Sequence, residues 1–341
     1  MWRYDVHGLC TIESDYQLDQ LSYFSVRDVP HVDLRIRRHH GQMTDGVMVG
    51  GYEWDEQSKT LTAQHAPFVQ ASVRFTDDGV VLTMTPLYAR LSNVERLLRE
   101  AVDYLLHRRD AMLLYAAGVS LADGDGLMLV GPPGVGKSTT SIRLARETGC
   151  GLVGDDQILV RDGQLYSYEQ SSYLHRSSPL MRQLVDSGDY EPSAVTALSN
   201  YLNLPGRSLL PGPLRQLGNR LLRLKPRVKF EPGELAPATD TASLETCLLL
   251  YPDDGSQSIR PVSTEAAADR IALLNSWRYK ERDIFAVMSR YFAGDTALAG
   301  DDSATPRTAR AVRAALGDCD CYEVRAPADE QFATILNRFG A

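Results

Sequence analysis

One short run carries most of the legible chemistry. Gly131-Pro132-Pro133-Gly134-Val135-Gly136-Lys137-Ser138 fits the phosphate-cradling pattern G-x-x-x-x-G-K-S. Its glycines let the backbone wrap closely, so that N–H groups converge on an anion. A helix opening at Lys137 adds the partial positive charge of its N-terminus. In such a loop the ammonium of Lys137 reaches the β- and γ-phosphates, and the hydroxyl of Ser138 ligates Mg²⁺. Thr139 completes the nucleotide-contacting set. The expected ligands are therefore ATP and Mg²⁺, with GTP not distinguished because no base-reading motif is visible.

Asp155-Asp156 is the second element, 18 residues past Lys137. At the end of the strand that follows the loop's helix, these carboxylates would face the metal and the γ-phosphate. One aspartate would hold Mg²⁺, directly or through water. The other would accept the proton of an attacking hydroxyl. Many mechanical NTPases carry this carboxylate on a strand reached later in the chain. Its place on the very next strand points to phosphoryl transfer.

The third feature is basic. Seven Lys or Arg and no acidic residue fall between Arg207 and Lys229, in a chain of net charge −8. Leucines from Leu214 to Leu224 suggest an amphipathic helix among them. The stretch reads either as a flap that neutralises ATP phosphates or attracts an acidic substrate, or as a solvated helix face. Arg227 and Lys229 are the favoured phosphate partners, since they precede a return to the core. His175 and the His39-His40 pair read as structural or solvated.

The elements that must position these groups are strongly patterned. Met112–Leu121 reads as a buried strand, Asp123–Gly126 as a turn and Leu127–Val130 as its antiparallel partner. A helix from Lys137 to Glu147 ends at Gly149 or Gly151. Leu152-Val153 begins the strand that runs into Asp155. Asp162-Gly163 is a hairpin turn. Ser92 and Glu95 form a capping box for a helix with Val94, Leu97, Leu98, Ala101, Val102, Leu105 and Leu106 on one face. Later come a strand at Leu244–Tyr251, helices at Thr264–Trp277, Glu281–Phe292 and Pro306–Leu316, a strand from Tyr322 and a helix at Ala328–Arg338. Residues before 90 read as short strands, among them Val47–Tyr52, Thr60–Ala63 and Ala71–Phe75.

Bulk properties narrow the classes. An acidic chain with pI near 5.4 carries no nucleic-acid footprint. No run has the length and apolarity of a membrane span or a signal peptide, so a cytoplasmic protein is expected. Cys10, Cys150, Cys247, Cys319 and Cys321 are scattered and odd in number. They read as isolated reduced thiols.

Leu114-Tyr-Ala-Ala-Gly-Val119, Gly131 to Ser138 and Leu152-Val-Gly-Asp-Asp156 together resemble the HPr kinase/phosphorylase family and its wider HPr-kinase-like group. The resemblance is sharpest from Leu113 to Val160. It implies an α/β fold, with a P-loop kinase domain of HPr-kinase/phosphoenolpyruvate-carboxykinase type and a mixed sheet over 91–341. A small β-rich region would precede it over 1–90. By analogy Lys137 binds phosphate, Ser138 binds Mg²⁺, Asp155 is the general base and Asp156 assists the metal. Tyr115 stands where the family usually carries His, and the family's Glu-x-Arg-Gly signature is not found after Asp156. The implied acceptor is thus a hydroxyl of a peptide or protein serine, an amino acid or another small metabolite, rather than HPr itself. The family often forms hexamers, which leaves room for a homo-oligomer. Two other readings stay open, a P-loop NTPase coupled to assembly and a nucleotide-binding regulator without turnover.

Overall fold

The computed structural model describes residues 1–40, 52–55, 57–66, 68–76, 78–91, 94–168, 172–175, 178–191, 227–231, 233–253, 257–279, 304–327 and 330–339. Among these residues the chain builds two large mixed sheets, the first β-rich and N-terminal, the second flanked by helices.

The first sheet comes from alternating apolar segments. Its strands are β1 (Trp2–Val6), β2 (Cys10–Ser14), β3 (Leu34–Arg38), β4 (Tyr52–Asp55), β5 (Thr60–Ala66), β6 (Val69–Thr76) and β7 (Gly79–Met84), in the order β1-β2-β3-β7-β6-β5-β4. Leu34, Ile36, Val80, Leu82 and Met84 alternate toward one core. Two helices follow, α1 (Pro86–Leu91) and α2 (Val94–His107). The expected apolar face of α2 is buried from Leu97 to Leu106, and it joins the first sheet's core together with Leu113, Leu159 and Tyr168 of the second sheet. So α2 lies between the two sheets. Ser92 falls outside the described residues.

The second sheet begins with β8 (Met112–Leu114), β9 (Ala116–Ser120) and β10 (Asp125–Val130). The expected antiparallel pairing of β9 with β10 is present. Next come α3 (Lys137–Thr148), closed by Gly149 in the left-handed region at φ 74, and β11 (Gly151–Gly154). β12 (Ile158–Arg161) and β13 (Gln164–Ser167) form the expected hairpin. Asp162 and Gly163 turn it with φ 49 and 69, the positive pair that a tight two-residue turn requires.

A separate two-stranded ribbon joins β14 (Ser172–His175) and β15 (Arg227–Phe230), with α4 (Pro179–Asp186) between them in sequence. The remaining elements are β16 (Thr241–Pro252), β17 (Ser258–Val262), α5 (Thr264–Tyr279), α6 (Ala304–Leu316), β18 (Asp320–Ala326) and α7 (Gln331–Phe339). β16 lies at the centre, parallel to β10 on one side and to β18 on the other. Cys247 to Leu250 are accordingly apolar without alternation, because both faces of the strand are covered. Helices α3 and α7 pack on one face and α5 and α6 on the other.

The expected single strand over 112–121 is interrupted at Tyr115, and the strand into Asp155 is interrupted over 155–157. These breaks face each other. Gly154 pairs Gly118, and four residues on Ile158 pairs Leu114, four residues back. The register is therefore continuous through the gap. One antiparallel ribbon bends where Tyr115–Ala117 oppose Asp155–Gln157. The segments 47–51 and 281–292, read above as strand and helix, lie outside the described residues, as do the basic residues from Arg207 to Lys225.

Candidate functional site

The glycine-rich loop leaves β10 at the C-terminal edge of the parallel strands. Its first residue has no room for a side chain. A Cβ on Gly131 would lie 2.8 Å from Val135 Cγ1 and 2.9 Å from the carbonyl oxygen of Leu250 on β16. Gly134 and Gly136 hold φ of 82 and 107, conformations that favour glycine. Gly136 is the N-cap of α3 and supplies no side-chain cap to the helix's first amides. The helix dipole favours an anion there. Pro133 and Gly134 are exposed at the loop's tip, Pro132 and Gly136 half-buried, and Val135 anchors the loop in the core of α3.

Lys137 is buried within this turn. Its ammonium donates to the carbonyls of Gly131 at 2.8 Å and Pro132 at 3.3 Å. It also sits 4.0 Å from the ring centroid of Tyr115, a cation–π contact across the bent ribbon. The bend is fixed from a third element. The Tyr115 N–H donates to Asn275 Oδ1 at 3.1 Å, and the Asn275 amide donates to Ile271 O at 2.9 Å.

Asp155 is 3% exposed at the opposite side of the bend. Ser138 and Lys137 lie close enough to its carboxylate to favour the charged form. Its Oδ1 is buried with no hydrogen-bond partner. Burial and then the neighbouring charge of Asp156 push its pKa up to about 7, against the partial offset of Ser138 and Lys137. Asp156 takes a left-handed φ of 65, which carries the chain around the bend. Thr139 is half-buried on the first turn of α3.

The fold therefore brings Lys137, Ser138, Asp155 and Asp156 together at one edge. Arg227 and Lys229 lie on β15, in register with His175 and Tyr173 of β14. They alternate there with Val228 and Phe230, which pack into the core that also holds Val135 and Ile142. Asn275 was not found from the sequence. Its signal was a polar residue on the α5 stripe Ala267, Ala268, Ile271 and Ala272, buried at 5% exposure.

All five cysteines are free thiols, as expected. Three of them are not isolated. Cys247 is directly opposite Cys321 in the ladder of β16 with β18, and Cys319 Sγ lies 3.8 Å from Cys321 Sγ. Strand pairing across the chain brings together what sequence distance separated. Among the described residues, no helix is long and apolar enough to cross a membrane.

No family model matches the chain, and no curated protein matches it.

Proposed function

We propose that this chain is an HPr-kinase-like phosphotransferase, moving the γ-phosphate of Mg·ATP to a hydroxyl of a peptide, protein serine or small metabolite. The observation that carries the reading is Asp155: a carboxylate buried within electrostatic reach of Lys137 and beside Ser138, its Oδ1 left without a hydrogen-bond partner. A structural aspartate in this position would have both oxygens satisfied. A catalytic base keeps one for the proton it takes.

The residues fit a magnesium nucleotide. The loop amides at Gly134 to Lys137 would donate to phosphate oxygens, and Lys137 would exchange its carbonyl partners for phosphate. The Ser138 hydroxyl and Asp156 are hard oxygen donors of the kind Mg²⁺ takes. Among the described residues no three His, Cys, Asp or Glu side chains form a closed cage. Such an ion would be completed by phosphate oxygens and water, the usual arrangement at phosphoryl-transfer sites. When bound it neutralises charge on the transferring group. Asp155 orients the acceptor hydroxyl and takes its proton, and Lys137 holds the charge that develops on the phosphoryl oxygens.

A regulator that binds nucleotide without turnover is the second reading. The Tyr115 ring on Lys137 favours it, because it holds the lysine away from chemistry. The experiment is transfer of γ-labelled phosphate from Mg·ATP into protein and small-molecule fractions of a cell extract. Label should reach a defined acceptor, and Lys137→Ala should reduce transfer by ~10²–10³-fold. Tight ATP binding with no label leaving would replace the kinase by the regulator. Release to water alone would replace it by an NTPase.

A further inference from the structure

Three of the five thiols meet at one point, and phosphoryl transfer uses none of them. Cys247 of β16, Cys319 and Cys321 of β18 are all buried in the core beneath α5 and α6. Cys321 is pinned in the ladder between Cys247 and Val262 of β17. Cys319 precedes the strand in a turn whose neighbours Gly317, Asp318 and Asp320 are exposed. Cys319 and Cys321 themselves are 6% and 4% exposed.

The three sulfurs are not equivalent. Cys319 Sγ and Cys321 Sγ lie 3.8 Å apart in a contact where either can donate, and the Cys321 thiol also reaches the Cys319 carbonyl oxygen at 3.7 Å. The interaction with Cys321 and burial push the Cys247 and Cys319 thiols up. The neighbouring sulfurs of Cys247 and then Cys319 draw Cys321 below the ordinary thiol range. Cys10 is equally buried but packs against the charge of Asp33, and burial pushes its thiol far up.

We propose that Cys319 and Cys321 form a peroxide-oxidisable dithiol site, with Cys321 the attacking sulfur and Cys319 the resolving one. The Cys321 thiolate attacks one oxygen of hydrogen peroxide. The O–O bond breaks, an S–O bond forms and hydroxide leaves, to be protonated to water. Cys319 sulfur then attacks Cys321 sulfur. The S–S bond forms and the S–O bond breaks, and the departing hydroxide takes the Cys319 proton as water. Two thiols are oxidised by two electrons and one peroxide is reduced to two waters. Closing 3.8 Å to the ~2.05 Å of a disulfide requires movement of Cys319 alone, which the strand ladder does not hold.

The test uses the full chain, reduced, native and exposed to hydrogen peroxide before alkylation and trypsin digestion. Arg313 and Arg325 bracket one peptide that holds both cysteines. The wild type should lose two hydrogen masses in that peptide and recover them with dithiothreitol. Dimedone should label Cys321 in Cys319→Ser at least ~10-fold faster than Cys10. Cys321→Ser and Cys321→Ala, checked for folding by circular dichroism, should leave Cys319 unoxidised. Full alkylation of both sulfurs after peroxide would overturn the proposal. So would dimedone labelling of Cys321 no faster than that of Cys10, or oxidation of Cys319 without Cys321.

Discussion

The two sheets each bury one aspartate, and the two are treated in opposite ways. Asp33, in the first sheet, is 4% exposed. It receives the Thr11 N–H at 2.8 Å, the Thr11 hydroxyl at 2.9 Å and both arms of Arg109 at 3.0 and 2.6 Å. Burial pushes its pKa up, but the Thr11 amide, Arg109 and the Thr11 hydroxyl together bring it below the usual carboxylate value. Asp155, equally buried in the second sheet, keeps one oxygen without a partner and is pushed up to about 7. The first region spends its buried charge on tying the end of α2 to β2 and β3. The second leaves a buried carboxylate partly unsatisfied and disfavours its charge, which is where function is expected to reside.

The largest expected effect separates the two aspartates by activity. Asp155→Asn should lower phosphate transfer by ~10²–10⁴-fold, while Asp33→Asn should leave the rate per folded molecule unchanged. Equal losses in both variants, measured by labelled transfer, would erase the distinction.

Stability should run the other way. Asp33→Asn should destabilise the chain by ~1–3 kcal/mol at pH 8, below the cost of breaking a fully buried pair because Arg109 keeps some solvent contact. The lowered folded pKa of Asp33 makes its contribution present above its unfolded value and lost as pH falls through the folded one. Asp155 has a raised folded pKa. Its contribution is full below the unfolded value of 3.8 and is lost as pH rises through about 7. In chelator-treated, nucleotide-free protein, Asp155→Asn should therefore stabilise by ~1–3 kcal/mol at pH 8 and by much less at pH 4. Urea titrations at the two pH values measure both variants.

Smaller effects sharpen the account of the loop. Gly131→Ala drives a methyl onto Leu250 O and Val135, at an expected cost of ~1–3 kcal/mol. Gly134→Ala meets nothing within 4 Å. It should cost only the left-handed strain of ~1–2 kcal/mol. A thermal-melt series that ranked Gly134 above Gly131 would place the constraint in the backbone angle rather than in the contact with β16. Asn275→Ala should cost ~1–2 kcal/mol by leaving the Tyr115 N–H without its acceptor.

Local chemistry was legible in the sequence. The loop, the opening of α3 at Lys137, the stop at Gly149 and the turn at Asp162-Gly163 each follow from residue types within a few positions of one another. The strands β1, β2, β14 and β15 and the helix α1 were not recognised. They are short, and their apolar alternation is too brief to stand out from loop sequence. The break in the strand over 112–121 was also hidden, because a bend in a buried ribbon leaves the apolar run intact.

By itself the sequence determined where the glycine-rich turn meets the opening of α3, the place where backbone amides are expected to receive an anion. It also predicted the proximity of Asp155 and Asp156, because one helix and one short strand return the chain to its starting edge. Only the tertiary structure decided which aspartate is buried, which ring lies on Lys137, that Asn275 holds the bend and that Cys247 joins Cys321. Those facts depend on strand register and on helix packing between residues far apart in the chain. No pattern within a short window of sequence encodes such pairing.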